Sequence, residues 1–186
     1  MKADLRNILL KQRLALSQKE TITKSKIIQE NFFRLPESKK FSNFSVYLEI
    51  NNEVVTKGLI NFLVGQGKKV FLPKYSEKSK GYFLSKFSNW QKLEKGPYEI
   101  LQPGNDDRIS SMNIDVAVIP GVAFSPAGVR LGYGKGIFDK LFKDSKCLKI
   151  GLAYEMQITE FIPRDKHDLV MNLVITEEKV YRFKSI

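Results

Sequence analysis

The chain has 186 residues, 42% of them hydrophobic, and carries 31 Lys+Arg against 20 Asp+Glu for a formal charge of +11. That length predicts a single domain over 1–186, while the charge favours anionic ligands (a nucleotide, an acidic cofactor or a nucleic acid) without choosing among them. A lone cysteine, Cys147, excludes an internal disulfide framework, and the lack of a Cys-x-x-Cys pair, a histidine cluster, an apolar leader or an 18-residue apolar run predicts a cytoplasmic protein with neither zinc site nor membrane association.

Residues 2–17 predict an amphipathic helix, with Leu5, Ile8, Leu9 and Leu16 on one face and Lys2, Arg6, Lys11 and Arg13 elsewhere. Ser17-Gln18-Lys19-Glu20 has the spacing of a capping box, so a second helix is expected to about Arg34, stopped by Pro36. Phe44–Leu48 predicts a short strand, Val54–Val64 a helix, and Lys69–Leu72 a strand closed by Pro73. Strand, helix and strand at this spacing predict a βαβ unit and a parallel sheet. Glu53 falls in the strand-to-helix loop, where open α/β sheets place ligands; an acidic residue there also simply favours a helix start. Lys74–Asp107 is polar and turn-rich, with short strands expected at Tyr82–Leu84 and Tyr98–Leu101. Val116–Ile119 reads as a buried strand, Gly136–Phe142 as a helix, Leu148–Tyr154 as a strand and Leu169–Thr176 as mostly strand.

The stretch from Ile119 to Asp139 carries the chemistry. Gly132, Gly134 and Gly136 alternate between Arg130 and Asp139, with Lys135 among them. Glycines so spaced let backbone N–H groups converge on an anion, and the helix expected after Gly136 would add its positive end. Basic groups followed by a carboxylate point to phosphates held with a metal; a flexible strand-to-helix turn is the plain alternative. The phosphate loop is of no common type. Val129 takes the place of the leading glycine of a Walker A sequence, and Ile137 the place of the third glycine of a dinucleotide or kinase loop.

Pro120, Gly121, Ala123 and Phe124, followed by Arg130, Leu131, Gly132, Gly134, Gly136, Phe138 and Asp139, resemble the signature of the 5-formyltetrahydrofolate cyclo-ligase family (P-G-x-A-F, then R-L-G-x-G-x-G-Y-Y-D). Ile137 replaces a common tyrosine, and Ser125 a frequent aspartate. Further segments match in order: Lys2-Ala3-Asp4-Leu5-Arg6, Glu53-Val54-Val55-Thr56, Tyr154-Glu155-Met156-Gln157 and His167-Asp168. Tyr98-Glu99-Ile100-Leu101-Gln102-Pro103 departs from the family's Y-G-I-x-E-P by lacking the glycine and the acidic residue.

The resemblance implies a single-domain, three-layer α/β/α fold with a mostly parallel sheet, similar to the sugar-phosphate isomerase and CoA-transferase group. It implies conversion of 5-formyltetrahydrofolate and ATP to 5,10-methenyltetrahydrofolate, ADP and phosphate, with Mg²⁺ as cofactor, in a monomer that binds a reduced folate and no nucleic acid. ATP would lie against Lys2-Ala3-Asp4-Leu5-Arg6 and against Arg130-Leu131-Gly132-Tyr133-Gly134-Lys135-Gly136-Ile137-Phe138, with Arg130 and Lys135 catalytic. Leu48, Glu53, Tyr133 and Tyr154 would contact the folate, and Asp139 with Asp168 would hold Mg²⁺. His167 is expected to be structural or solvated. Two other classes stay open at this point: a basic RNA- or DNA-binding module, and another phosphoryl-transfer or sugar-phosphate enzyme on a similar scaffold.

Overall fold

A computed structural model describes residues 2–183. The first helix, α1 (Lys2–Leu14), ends three residues earlier than its apolar spacing predicts. Ser17 then caps α2 (Gln18–Arg34) with a complete capping box: its Oγ accepts the Glu20 N–H at 3.2 Å, and Glu20 Oε2 accepts the Ser17 N–H at 2.8 Å. Pro36 stops α2 and also opens a third helix, α3 (Pro36–Lys40), where a missing N–H forfeits nothing.

Strand β1 (Asn43–Ser45), helix α4 (Lys57–Gly65) and strand β2 (Lys69–Ser76) form the expected parallel βαβ unit, with Phe44 opposite Val70. Helix α4 begins three residues later than the apolar run predicts, because Val54 and Val55 are held in the preceding loop: the Tyr47 hydroxyl donates to the Val54 carbonyl at 3.0 Å, and the Val55 N–H donates to Ser25 Oγ at 2.9 Å. Pro73 does not close β2. The β1 ladder ends opposite Phe71, so on that side a residue without an N–H loses no bond; β2 continues against β3 (Gly81–Lys86) as far as Ser76. β4 (Leu93–Lys95) and β5 (Leu101–Pro103) make a separate ribbon, and β6 (Arg108–Ile109) joins the edge of β3. Tyr98–Leu101 is not a strand: Pro97–Glu99 is a tight 3-10 turn with φ of 61° at Tyr98 and 58° at Glu99, and extended backbone starts only at Leu101.

β7 (Val116–Ile119) leads into a hairpin of β8 (Ala123–Phe124) and β9 (Arg130–Leu131), then α5 (Ile137–Phe142). β10 (Leu148–Leu152), β11 (Leu173–Ile175) and β12 (Val180–Arg182) complete the chain. β11 is shorter than the apolar run 169–176 predicts, since Leu169 and Met171 pack inward from the preceding loop. The main sheet runs β12-β11-β10-β7-β1-β2-β3-β6, parallel from β11 to β2 and antiparallel at both margins.

Alternation along the strands sorts the core. Val70, Leu72, Val116, Val118, Ile150 and Leu152 pack against Ile28 and Phe32 of α2 and against Leu59 and Leu63 of α4. Phe71, Ala117, Ile119 and Val174 face the other way, toward Phe124 and Phe142. The architecture is therefore three-layered around a large, mostly parallel sheet, with one outer layer reduced to α5 and the β8–β9 hairpin. From β1 the chain moves outward to β2, then returns to lay β7 on the opposite flank of β1 and builds outward to β10 and β11. The reversal between β1 and β7 is where open sheets leave a crevice beyond their carboxyl ends. No helix of the described residues is long and apolar enough to cross a membrane.

Candidate active site

A cavity of about 570 Å³ occupies that crevice. It draws its walls from α1, the segments after β1 and β7, the Arg130–Asp139 loop and the Asp165–Asp168 turn. Segments far apart in sequence meet there: Lys2, Arg6, Leu48, Glu53 and Asp168 line it together with every residue from Arg130 to Asp139. Ala3, Asp4 and Leu5 share the first turns of α1 but do not line it; Leu5 packs instead against Val122 and Leu131. Tyr154 is fully buried beneath the cavity, where its hydroxyl donates to the Glu53 carbonyl at 3.2 Å.

Glycine shapes the basic wall. At Gly132 an added Cβ would fall 2.6 Å from Arg130 Nη1, so the missing side chain makes room for the guanidinium. Gly134 and Gly136 have φ of 94° and 63°, a region costly to residues with a Cβ. Arg130 is buried and committed to its own loop: Nη1 donates to the Pro120 carbonyl at 3.1 Å, and Nη2 donates to both Asp139 oxygens at 2.7 and 2.8 Å. Its Nε is buried without a hydrogen-bond partner. Arg6 Nε donates to the Gly132 carbonyl at 2.8 Å, which aims its outer nitrogens at Gly134. Lys135 reaches across the mouth to the Tyr98 hydroxyl at 2.8 Å.

The two carboxylates expected to hold a metal line the same cavity. Asp139 Oδ1 accepts the Leu169 N–H at 3.2 Å, which sets it against the residue next to Asp168. Lys2 Nζ bridges Asp168 at 2.6 Å and Asp165 at 2.7 Å. Burial pushes the Asp168 carboxyl up, but the Lys2 ammonium and the Asp165 N–H outweigh it, and the group is held below its usual range. Two hard oxygen donors beside a cradle for phosphate oxygens match what Mg²⁺ takes, which is one or two carboxylates completed by phosphate and water. Among the described residues no cluster of three or more His, Cys, Asp or Glu forms a self-sufficient metal cage. The donor set therefore fits a metal that arrives with a phosphate.

The opposite wall is a buried carboxylate. Glu53 is only 4% exposed; Oε2 accepts the Ile50 N–H at 3.1 Å, whereas Oε1 has no hydrogen-bond partner. Burial pushes its pKa up to about 7, against the opposing pull of the Arg13 guanidinium, the Ile50 N–H and the nearby Tyr133 hydroxyl.

Sequence reading missed three participants. Arg13 was placed off the apolar face, although its i,i+4 spacing from Leu9 marks the buried stripe of α1. Asn51 looked like an ordinary turn residue, and Asp165 carried no signal before the turn brought it to Lys2.

Residues 1–177 match the family model described as the 5-formyltetrahydrofolate cyclo-ligase family. A mouse 5-formyltetrahydrofolate cyclo-ligase is 31% identical over 183 residues, covering 91% of this chain and 90% of the relative. The Escherichia coli K12 enzyme of the same name is 31% identical over 147 residues, 75% of this chain and 80% of its own. An NMR structure of Aquifex aeolicus 5,10-methenyltetrahydrofolate synthetase superposes with a TM-score of 0.89 at 34% identity, covering 100% of this chain and 94% of that one. The chain belongs to the 5-formyltetrahydrofolate cyclo-ligase family.

Proposed function

We propose that the chain uses ATP to close 5-formyltetrahydrofolate into 5,10-methenyltetrahydrofolate, with the nucleotide on the glycine wall and the folate on the Glu53 wall. One observation supports this most directly: the glycine-lined basic cradle and the buried carboxylate open on the same cavity, as a transfer between two bound molecules requires. The formyl oxygen of an amide is a poor leaving group. Its attack on the γ-phosphorus of ATP forms an O–P bond as the bond to ADP breaks. Nitrogen 10 then attacks the activated carbon, loses its proton, and the C–O bond breaks to release phosphate.

The substrate supplies its own nucleophiles, so this chain's part is positioning and charge. Lys135 and Arg6 are placed to meet phosphate oxygens, and Arg130 holds Asp139 while adding its charge beneath the loop. Glu53 lines the folate wall and its carboxylate would accept from pterin N–H groups, Leu48 and Tyr133 border the same space, and Tyr154 supports Glu53 from below. Asp139 and Asp168 would hold Mg²⁺, which when bound would neutralise charge on the transferred phosphate. We read residues 1–186 as one catalytic domain, because Lys2 and Asp168, from opposite ends of the chain, share the site. A cytoplasmic location is the accompanying reading, supported by the lone thiol of Cys147, which a reducing compartment preserves.

Purified protein given 5-formyltetrahydrofolate and Mg·ATP should produce methenyl absorbance with stoichiometric ADP; no nucleotide-dependent rise would refute the reading. Asp168→Asn should lower the rate by about tenfold or more and shift Mg²⁺ activation to higher concentration. An unchanged Mg²⁺ activation curve would remove Asp168 from the metal site.

A further inference from the structure

Arg13 is the largest side chain fully buried in the described structure, at 1% exposure, and it lies behind the wall of the site, bonded to Asn51 and Tyr133 that line the cavity, rather than in either sheet core. Only Leu9 and Arg13 of α1 are buried, so this helix is anchored at the site and not to the sheet. Leu9 packs with Val122, Val129 and Leu131, around the hairpin that carries the glycine loop. Arg13 spreads its donors over three separate segments. Nε donates to the Asn51 carbonyl at 3.0 Å, Nη1 to the Gly121 carbonyl at 3.0 Å, and Nη2 to the Tyr133 hydroxyl. The first follows β1, the second follows β7, and the third belongs to the glycine loop.

The segment after β1 is gripped from both sides. Asn51 and Asn52 have φ of 50° and 55°, two successive left-handed residues that need outside support to persist. Arg13 binds the Asn51 carbonyl, and Asn52 Nδ2 donates back to the carbonyls of Arg13 at 3.3 Å and Leu16 at 3.0 Å. The next residue is Glu53, whose unpartnered Oε1 lies 4.0 Å from Arg13 Nη2. The guanidinium is thus close enough to bias the carboxylate but too far to satisfy it.

We infer that Arg13 is a positioning residue for the folate: it locks the Asn51–Glu53 turn and the Tyr133 phenol in one frame, so that Glu53 and the Tyr133 ring border the cavity together. The inference rests on the proposed reading that Glu53 and Tyr133 meet the folate. A lysine could not replace Arg13, because one ammonium cannot span three segments that a planar fork reaches at once. Arg13 is also the cation facing Glu53. Tyr47 and Glu49 after β1, Tyr133 from the glycine loop and Tyr154 after β10 are the other titratable groups around it. Burial and, less, Glu49 oppose the Glu53 charge; Arg13, the Ile50 N–H and the Tyr133 hydroxyl favour it.

Arg13→Lys and Arg13→Met test this, with thermal unfolding followed in parallel and KM and kcat measured for each substrate. Charged hydrogen bonds of this kind carry weight enough that Arg13→Lys should raise the folate KM about tenfold, with the ATP KM changed less than about twofold. In Arg13→Met, the acid limb of kcat/KM for folate should move to higher pH, which a purely structural lesion would not do. An Arg13→Lys enzyme with a normal folate KM overturns the inference, as does one whose two KM values rise together in step with lost thermal stability. Glu53→Ala separates the underlying reading: if it leaves the folate KM unchanged, the placement of folate fails; if it raises the folate KM while Arg13→Lys does not, only the role of Arg13 fails.

Discussion

Glu53 shows how one buried residue ties function to stability. Its pKa in the fold, about 7, lies above the ordinary 4.5, so the folded protein binds this proton more tightly than the unfolded chain does. Its contribution is fully present below pH 4.5 and is lost as pH rises through 7. The step from 4.5 to about 7 corresponds to about 3 kcal/mol. Glu53→Gln keeps the shape without the titration. Urea denaturation from pH 4 to 9 should therefore show wild-type stability declining relative to the variant between about pH 4.5 and 7; parallel curves would show that Glu53 does not titrate abnormally. The sequence exposed Glu53 through its place in a strand-to-helix loop. It did not expose Arg13's role, because the Leu9–Arg13 spacing marks a buried position but not the two carbonyls and one hydroxyl, from three distant segments, that satisfy the guanidinium. The carbonyls of Asn51 and Gly121 are invisible to residue type.

At the scale of elements, the Pro97–Glu99 turn marks where local rules were broken. Two consecutive non-glycine residues sit at positive φ on the rim of the cavity, held by Pro97 before them and by the Lys135–Tyr98 contact across the mouth. A left-handed residue with a Cβ costs roughly 1–2 kcal/mol, and glycine's extra freedom in the unfolded chain returns roughly 0.5–1 kcal/mol of that. Glu99→Gly should therefore stabilise the protein by roughly 0.5–1 kcal/mol, visible as a midpoint rise of a few degrees. The Lys95–Glu99 pair it removes is exposed at both ends and contributes little. An unchanged or lower midpoint would mean that the turn is unstrained. Elements set by short-range chemistry were legible: the Ser17 box, the β1–α4–β2 unit, and the helix after Gly136. Those decided by distant partners were not. Tyr98–Leu101 has the apolar content of a strand, and Pro73 resembles a terminator until β3 is seen to carry β2 onward.

Across the whole molecule, the link between sheet and site runs through a single ring. Phe124 is fully buried on the thin face of the sheet, wedged between Gly151 of β10 and Gly121 after β7. A Cβ at Gly151 would lie 2.6 Å from Phe124 Cε1 and 3.0 Å from Val174 Cγ2; one at Gly121 would lie 2.6 Å from Phe124 Cζ and 3.2 Å from Arg130 Cγ. Neither glycine is needed for its backbone angle; both are absences of side chain that let the ring pass from the sheet to the segment bearing Arg130. Gly121 is the residue whose carbonyl also receives Arg13 and Gln157. Packing this close transmits displacement, since interiors at crystal density have no slack. Gly151→Ala should therefore cost about 1–3 kcal/mol, as overpacking does, although the substitution is on a strand remote from any ligand. Phe124→Leu shortens the ring side chain and should relieve part of that cost. In urea unfolding, Gly151→Ala with Phe124→Leu should be less destabilised than the sum of the single variants by more than about 0.5 kcal/mol. Additive effects would mean that the methyl is accommodated elsewhere, and the sheet would then reach the Arg130 loop by some path other than this ring.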